Sequence, residues 1–370
     1  MQLSEQQKNL LKGLGIVVCL YFFLVGIKGI GGAFKLFGGD IAEQILLTTS
    51  NPFTGLFIGI LSTALMQSSS ATTSIVVGMV AGGAISIQGA IPMIMGANMG
   101  TTVTNTIVSL GHITRRQEFR RAFSVGTVHD FFNFIAVLIL FPLELSTGLI
   151  SRLSTSLAAI FESVGGLKVA DPLKIVVEPV VDLLESLVLN NPWLMLLLSI
   201  GITFYMLYLI VKLMRSLVIE KIEAFFNTYI FKTALRGFLF GAVLTFTVQS
   251  SSVTTSLVVP LVGAGVLTIY QVFPYTIGAN IGTTITANLA ALSTGNVLAL
   301  TVSIAHLIFN VLAGLIIWPV RAIRHIPINA AEALSRLAAR NRLIPIIFIL
   351  VIFYLLPIIV ILLGGGGTHA

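Results

Sequence analysis

The chain has 370 residues, of which 56% are hydrophobic and only 9% charged, with a formal net charge of +7. So much apolar sequence excludes a water-soluble globular domain, and basic residues scattered at helix ends exclude a nucleic-acid binder. What remains is an all-α polytopic membrane protein.

In chain order, ten mostly polar residues precede an apolar run over 11–30, close to the roughly 20 residues that cross a bilayer. The run passes signal-peptide length without a credible cleavage site and reads as a retained helix. It holds the single cysteine, Cys19, so no intrachain disulfide can form. Further spans are predicted over 86–110, 120–142, 192–213, 270–293, 297–320 and 343–363. Segments 53–84 and 236–266 are different. Each has a polar centre, and each half reaches only about 20 Å as a helix. Both read as re-entrant hairpins that enter to mid-depth and turn back, which is tolerated only where protein or a cavity surrounds the turn. The stretches 149–163 and 175–189 are amphipathic and acidic and read as outer-surface helices. The stretches 216–235 and 326–342 read as their inner counterparts, and Gly364–Gly367 as a flexible tail.

The hairpin centres repeat. Gln67-Ser68-Ser69-Ser70 recurs 182 residues later as Gln249-Ser250-Ser251-Ser252, and Thr72-Thr73-Ser74 as Thr254-Thr255-Ser256. Gly96-Ala97-Asn98 matches Gly278-Ala279-Asn280, and Gly100-Thr101-Thr102 matches Gly282-Thr283-Thr284. After a five-residue shortening, His129 and Asn133 match His306 and Asn310. The organisation is therefore a first repeat over 1–144, an outer linker over 145–190, a second repeat over 191–320, and an inner amphipathic segment with a terminal span over 321–370. With the N-terminus inside, 16 of the 21 Lys and Arg residues fall inside, and only Lys28, Lys35, Arg152, Lys168 and Lys174 fall outside. The acids lean outward, Asp40 and Glu43 among them. Three crossings separate the two starts, so the repeats are inverted, a common geometry for alternating access.

Each serine phrase is expected to end one half-helix and cap the next, leaving free N–H groups at the positive end of a helix dipole, a setting for an anion. The Gly-Ala-Asn-x-Gly-Thr-Thr phrases predict helix breaks. Their carbonyls, with Asn98, Thr101, Thr102, Asn280, Thr283 and Thr284, form a hard-oxygen set suited to a small cation such as Na⁺. No Arg or Lys lies inside the repeat cores, so a buried multivalent anion needs co-bound cations, which suggests cation-coupled anion transport. Packing alone would account for any one hydroxyl, but not for eight residues repeated in order. Asp130 is the one acid placed well within a span and is a candidate for function. Leu307 stands at its repeat position. His129 and His306 read as hydrogen-bonding scaffold. Phosphate-loop, zinc-protease and nucleophile-elbow motifs are absent, which argues against an enzyme.

Gln67–Ser70, Gly96–Thr106, Phe119–Phe123 and Thr127–Asn133 together resemble the type II sodium-dependent phosphate cotransporters. The resemblance covers roughly 11–320 and implies Na⁺-driven import of inorganic phosphate, with no cofactor beyond the coupling ion. It implies phosphate contacts at Ser68, Ser69, Ser70, Ser250, Ser251 and Ser252. Sodium contacts are implied at Gln67, Thr72, Thr73, Gln249, Thr254 and Thr255, to which the hard-oxygen reading adds Asn98 and Asn280. Thr101, Thr102, Thr283 and Thr284 of that same oxygen set, with the intramembrane Asp130, are expected to be ion-linked residues. The chain lacks the glycosylated, disulfide-bearing outer loop of animal members, so a bacterial inner-membrane protein with a cytoplasmic N-terminus fits best; a homodimer is compatible with it. A sulfate or dicarboxylate symporter, or a membrane sensor, are the alternatives.

Overall fold

The computed structural model describes residues 4–37, 49–163, 166–222 and 230–365. Among them every regular element is helical. Asp40, Glu43, residues 223–229 of the inner connection, and Gly366 and Gly367 of the tail lie outside the described residues.

Helix α1 (Glu5–Phe37) packs along α9 (Pro192–Ile222). Small residues make the close crossing possible: a methyl added at Gly26 or Gly29 would meet Thr203 or Ser199. The first predicted hairpin is α2 (Pro52–Met66) followed by α3 (Ser69–Ala81). The second is α10 (Ala234–Val248), then α11 (Ser251–Ser256) and α12 (Val258–Gly263). In both, the turn between the arms is made by a glutamine in the left-handed region, Gln67 at φ 51° and Gln249 at φ 59°. A side chain there is uncommon, and its appearance at both repeat positions marks a turn built to one plan.

Next to the first hairpin lie α4 (Ile87–Gly100) and the short α5 (Val103–Ser109). Next to the second lies one helix, α13 (Ile269–Thr294). The predicted break therefore occurs in the first copy, at Thr101–Thr102, and not in the second. The difference follows from the residues just beyond. Asn105 and Thr106 are drawn to distant partners, Thr255 and Asp130. The second copy has Ala287 and Asn288 there, and Asn288 bonds back to the Thr284 carbonyl within its own helix.

The long α6 (Arg116–Thr147) ends at Gly148, whose φ of 62° gives a left-handed cap. Its Glu144 carboxylate then accepts from the backbone N–H groups of Ile150 and Ser151, starting α7 (Leu149–Ser163). Helix α8 is Gly166–Leu187. The second repeat closes with α14 (Val297–Ile317), whose N-cap Asn296 accepts from Leu298 and Ala299. The amphipathic α15 (Arg321–Ala338) lies on α6. The last helix starts as α16 (Leu343–Leu350), widens into a π turn over Val351–Leu355, and continues as α17 (Leu356–Gly365). Pro357 lacks an N–H to donate into that turn, which gives a local reason for the widening.

Among the described residues five helices are long and apolar enough to cross a membrane: Gln7–Phe37, Arg116–Thr147, Pro192–Leu213, Val297–Ile317 and Leu343–Gly364. The predicted spans 86–110 and 270–293 are not among these. The first is divided at its threonines, and α13, though 26 residues long, carries the polar repeat phrase. Lys28 pairs with Glu178 at 2.7 Å beside Lys35, Asp182 and Glu185, while Arg120, Arg121 and Arg336 line another cavity.

The two hairpins are pinned at opposite ends of α13, which is about 39 Å long at 1.5 Å per residue. The carbonyl of Ala81, ending α3, accepts from Asn296 just beyond the C-terminus of α13. The carbonyl of Gly263, ending α12, accepts two bonds from Arg121 near the N-terminus of α13. Ala81 and Gly263 are repeat equivalents, 182 positions apart.

Candidate functional site

The turn of each hairpin places three successive serines differently. Ser68 and Ser250 are N-caps, accepting from the N–H groups of Ala71 and Val253 at 3.2 and 3.3 Å. The hydroxyls of Ser69 and Ser251, first residues of α3 and α11, make no hydrogen bond among the described residues although both side chains are buried. Ser70 and Ser252 reach across to the other repeat. The Ser70 hydroxyl lies 3.2 Å from that of Thr283, and the Ser252 hydroxyl 3.4 Å from that of Thr101. These two contacts are repeat images of each other. Ser70 also donates to the Gln249 carbonyl at 3.4 Å, so one hairpin turn touches the other near the middle of α13.

Beneath the serines lies a chain of amides and imidazoles. His129 Nε2 is 2.6 Å from Asn280 Oδ1, and His306 Nε2 is 3.4 Å from Asn98 Oδ1, again a repeated pair. Asn280 donates to Asn133 Oδ1 at 2.8 Å, and Asn133 donates to the Asn98 carbonyl at 2.7 Å. The histidines thus act as hydrogen-bonding scaffold across the repeats. All of these side chains are buried, and linked networks of this kind hold a unique arrangement when their members are satisfied.

The symmetry fails around Asp130. Asn105 and Thr255 exchange two bonds, 2.7 and 2.9 Å, and Thr106 donates to Asp130 Oδ2 at 2.8 Å. The images of Asn105 and Asp130 are Ala287 and Leu307, which can do neither. Asp130 is fully buried, and its Oδ1 has no hydrogen-bond partner among the described residues. A carboxylate oxygen in that state calls for a cation or a proton.

The remaining predicted residues are less directly placed. Thr72 accepts from Thr63 at 2.8 Å inside the first hairpin. Thr73, Thr254, Thr102 and Thr284 donate to carbonyls three or four residues back along the chain. Gln67 is exposed, whereas Gln249 accepts from Thr286 and donates to the Phe246 carbonyl. Sequence reasoning did not single out Asn105, Thr106 or Asn133 as site residues. The signal for the first two was their position where the repeats stop matching. Among the described residues no group of three or more His, Cys, Asp or Glu could hold a metal ion, so any cation here would be held by hydroxyl, amide and carbonyl oxygens with Asp130.

Five apolar spans around a buried polar network define an all-helical membrane protein with its chemistry at the core. The sequence model described as Na+/Pi-cotransporter matches residues 22–168 and 202–318. The chain belongs to that family. It is 36% identical to sodium-dependent phosphate transport protein 2A of Ovis aries, over 90% of this chain and 64% of the relative. It is 34% identical to the Rattus norvegicus protein of the same name, over 95% of this chain and 67% of that one. It is 33% identical to sodium-dependent phosphate transport protein 2B of Homo sapiens, over 92% and 64%. The chain thus spans about two thirds of the length of these relatives. No solved structure matches it.

Proposed function

We propose that the protein is a sodium-coupled symporter that imports inorganic phosphate by alternating access. The observation that carries the reading is the pair of serine turns meeting at mid-α13, each with one buried, uncommitted hydroxyl, Ser69 or Ser251, in stretches 67–104 and 249–286 that hold no Lys or Arg. The names of the three relatives reported above, each a sodium-dependent phosphate transport protein, support the choice of ligand and ion.

In this reading Ser68–Ser70 and Ser250–Ser252 present hydroxyls and helix N-terminal N–H groups to a phosphate. Sodium ions take oxygens from Gln67, Thr72, Thr73, Asn98, Gln249, Thr254, Thr255 and Asn280, and supply the positive charge that the repeat cores lack. Asp130, with Thr101, Thr102, Thr283 and Thr284, adds an asymmetric ion-linked sector. The test is uptake into proteoliposomes. Na⁺ supports labelled-phosphate uptake and choline does not; Asp130→Asn changes the Na⁺ dependence more than the phosphate affinity. Equal uptake in choline overturns the proposal, and an unaltered Na⁺ response in Asp130→Asn returns that acid to a structural role.

The repeats over 1–144 and 191–320 are read as inverted, with the hairpins entering from opposite faces of a bacterial inner membrane and the N-terminus cytoplasmic. The pinning of Ala81 and Gly263 at opposite ends of α13 supports this arrangement. Gln88 and Tyr270 are an exposed repeat pair beside the two hairpin mouths. On a Cys19→Ser background, Gln88→Cys reacts with an impermeant thiol reagent from outside and Tyr270→Cys from inside. Labelling of both from one side defeats the inverted arrangement.

A further inference from the structure

A cavity of about 390 Å³ lies at the end of the second hairpin, between α6, the turn leading into α13, and α15. Three arginines line it, Arg120, Arg121 and Arg336, against one acid, Glu332. Arg121 spends Nε and Nη2 on the Gly263 carbonyl, at 2.9 and 2.6 Å, so its position is held while its charge remains. Arg336 is only loosely paired, 3.8 Å from Glu332. Arg120 has no hydrogen bond or ion pair among the described residues. The N-terminal turn of the 26-residue α13 also borders the cavity and adds a positive helix end. The cavity therefore carries more positive charge than the protein neutralises.

Its place in the fold ties it to the buried network. Along α6, α13 and the α11–α12 arm, the cavity-lining Arg121, Ile269 and Val262 lie about 12–17 Å from His129, Asn280 and Ser252 by helical rise. The cavity beside the first hairpin, about 300 Å³, has the opposite balance. Lys28 and Lys35 there face Glu178, Asp182 and Glu185. Among the described residues the Arg120–Arg121–Arg336 cavity is the one of the two with excess positive charge, and arginine forks suit a phosphate group.

We infer that the Arg120–Arg121–Arg336 cavity is a second phosphate-group site, separate from the buried serines and independent of Na⁺. Its charge comes from the protein, so it needs no co-bound cation. The group it takes is a phosphate carried by free inorganic phosphate or by an anionic lipid headgroup at the membrane surface. The inference deepens the transport reading by placing an anion site at one end of the route.

The experiment uses the full chain in phosphatidylcholine nanodiscs, with labelled inorganic phosphate, Na⁺ replaced by choline, and low ionic strength. Weak binding is expected that persists in Ser251→Ala and is kept in part in Arg120→Lys/Arg336→Lys, which retains the charge but not the fork. It weakens about tenfold or more in Arg120→Gln/Arg336→Gln. It also weakens with salt, because the Debye length falls from about 30 Å at 0.01 M to about 8 Å at 0.15 M. A second arm adds phosphatidic acid to the discs. If the lipid is the natural occupant, it displaces inorganic phosphate from the wild type and co-purifies with it, but not with Arg120→Gln/Arg336→Gln. Equal behaviour of wild type and the glutamine variant toward both ligands overturns the inference. Loss of Na⁺-driven uptake with this Na⁺-independent binding intact would count against the transport reading alone.

Discussion

Ser69→Ala and Ser251→Ala each lower phosphate affinity about ten- to a hundred-fold while the protein stays folded. The two hydroxyls are buried at the first residues of α3 and α11 and make no hydrogen bond among the described residues. Removing them costs the protein no internal bond, so the loss falls on the ligand. A hydrogen bond to a charged group is worth about 1.5–3 kcal/mol, which sets the expected range. Ser70→Ala is the informative contrast, because its hydroxyl already bonds Thr283 and the Gln249 carbonyl across the repeats. That change loosens the contact between hairpins and lowers thermal stability as well as affinity. Phosphate titrations of the purified variants, each with a melting curve, separate the two effects. Wild-type affinity in both Ser69→Ala and Ser251→Ala would return these serines to packing.

Gly96→Ala and Gly278→Ala are expected to unfold or gravely destabilise the protein. Each glycine lies where a methyl would overlap a backbone carbonyl oxygen, that of Leu56 for Gly96 and that of Phe238 for Gly278. The same holds at Gly59 against Met93 and at Gly241 against Tyr275. Both pairs are repeat equivalents. They allow α2 to lie against α4, and α10 against α13, at backbone contact. Backbone cannot rotate aside as a side chain can, so the helices must separate. Overpacking a well-fitted core costs about 1–3 kcal/mol, and a clash with backbone belongs at or above the upper end. Gly13→Ala, with nothing near its would-be methyl, is expected to be neutral or stabilising by about 0.5–1 kcal/mol from helix propensity. Melting temperatures in detergent decide the matter. If Gly96→Ala melts no lower than Gly13→Ala, the close approach is not limiting.

Much of this site was legible in the residues. The duplicated Gln-Ser-Ser-Ser phrases announced two helix turns, and both glutamines do end one arm while the next serine caps the other. The pairing of His129 with His306 in the repeat anticipated a scaffold role, and each imidazole contacts the asparagine of the opposite repeat. The break at Thr101–Thr102 was legible too, but the same phrase in α13 misled, because Asn288 bonds within its own helix where Thr106 is drawn to Asp130. Asn105 and Thr106 stood in plain sight as departures from the repeat, without any local sign of their partners.

The sequence by itself determined that the chain lives in a membrane, that it is built twice, and which polar residues sit at the turns. These are local matters: apolar run length, capping chemistry and the recurrence of a phrase. Only the tertiary structure decided which half of the site meets which. Ser70 with Thr283, Ser252 with Thr101, His129 with Asn280 and Asn105 with Thr255 are each separated by about 150 residues or more. Contacts at that separation carry no local signal. They are set by how the two repeats dock, with α3 and α6 against α13, while glycine-to-carbonyl packing of α2 on α4 and of α10 on α13 holds each repeat rigid for that docking.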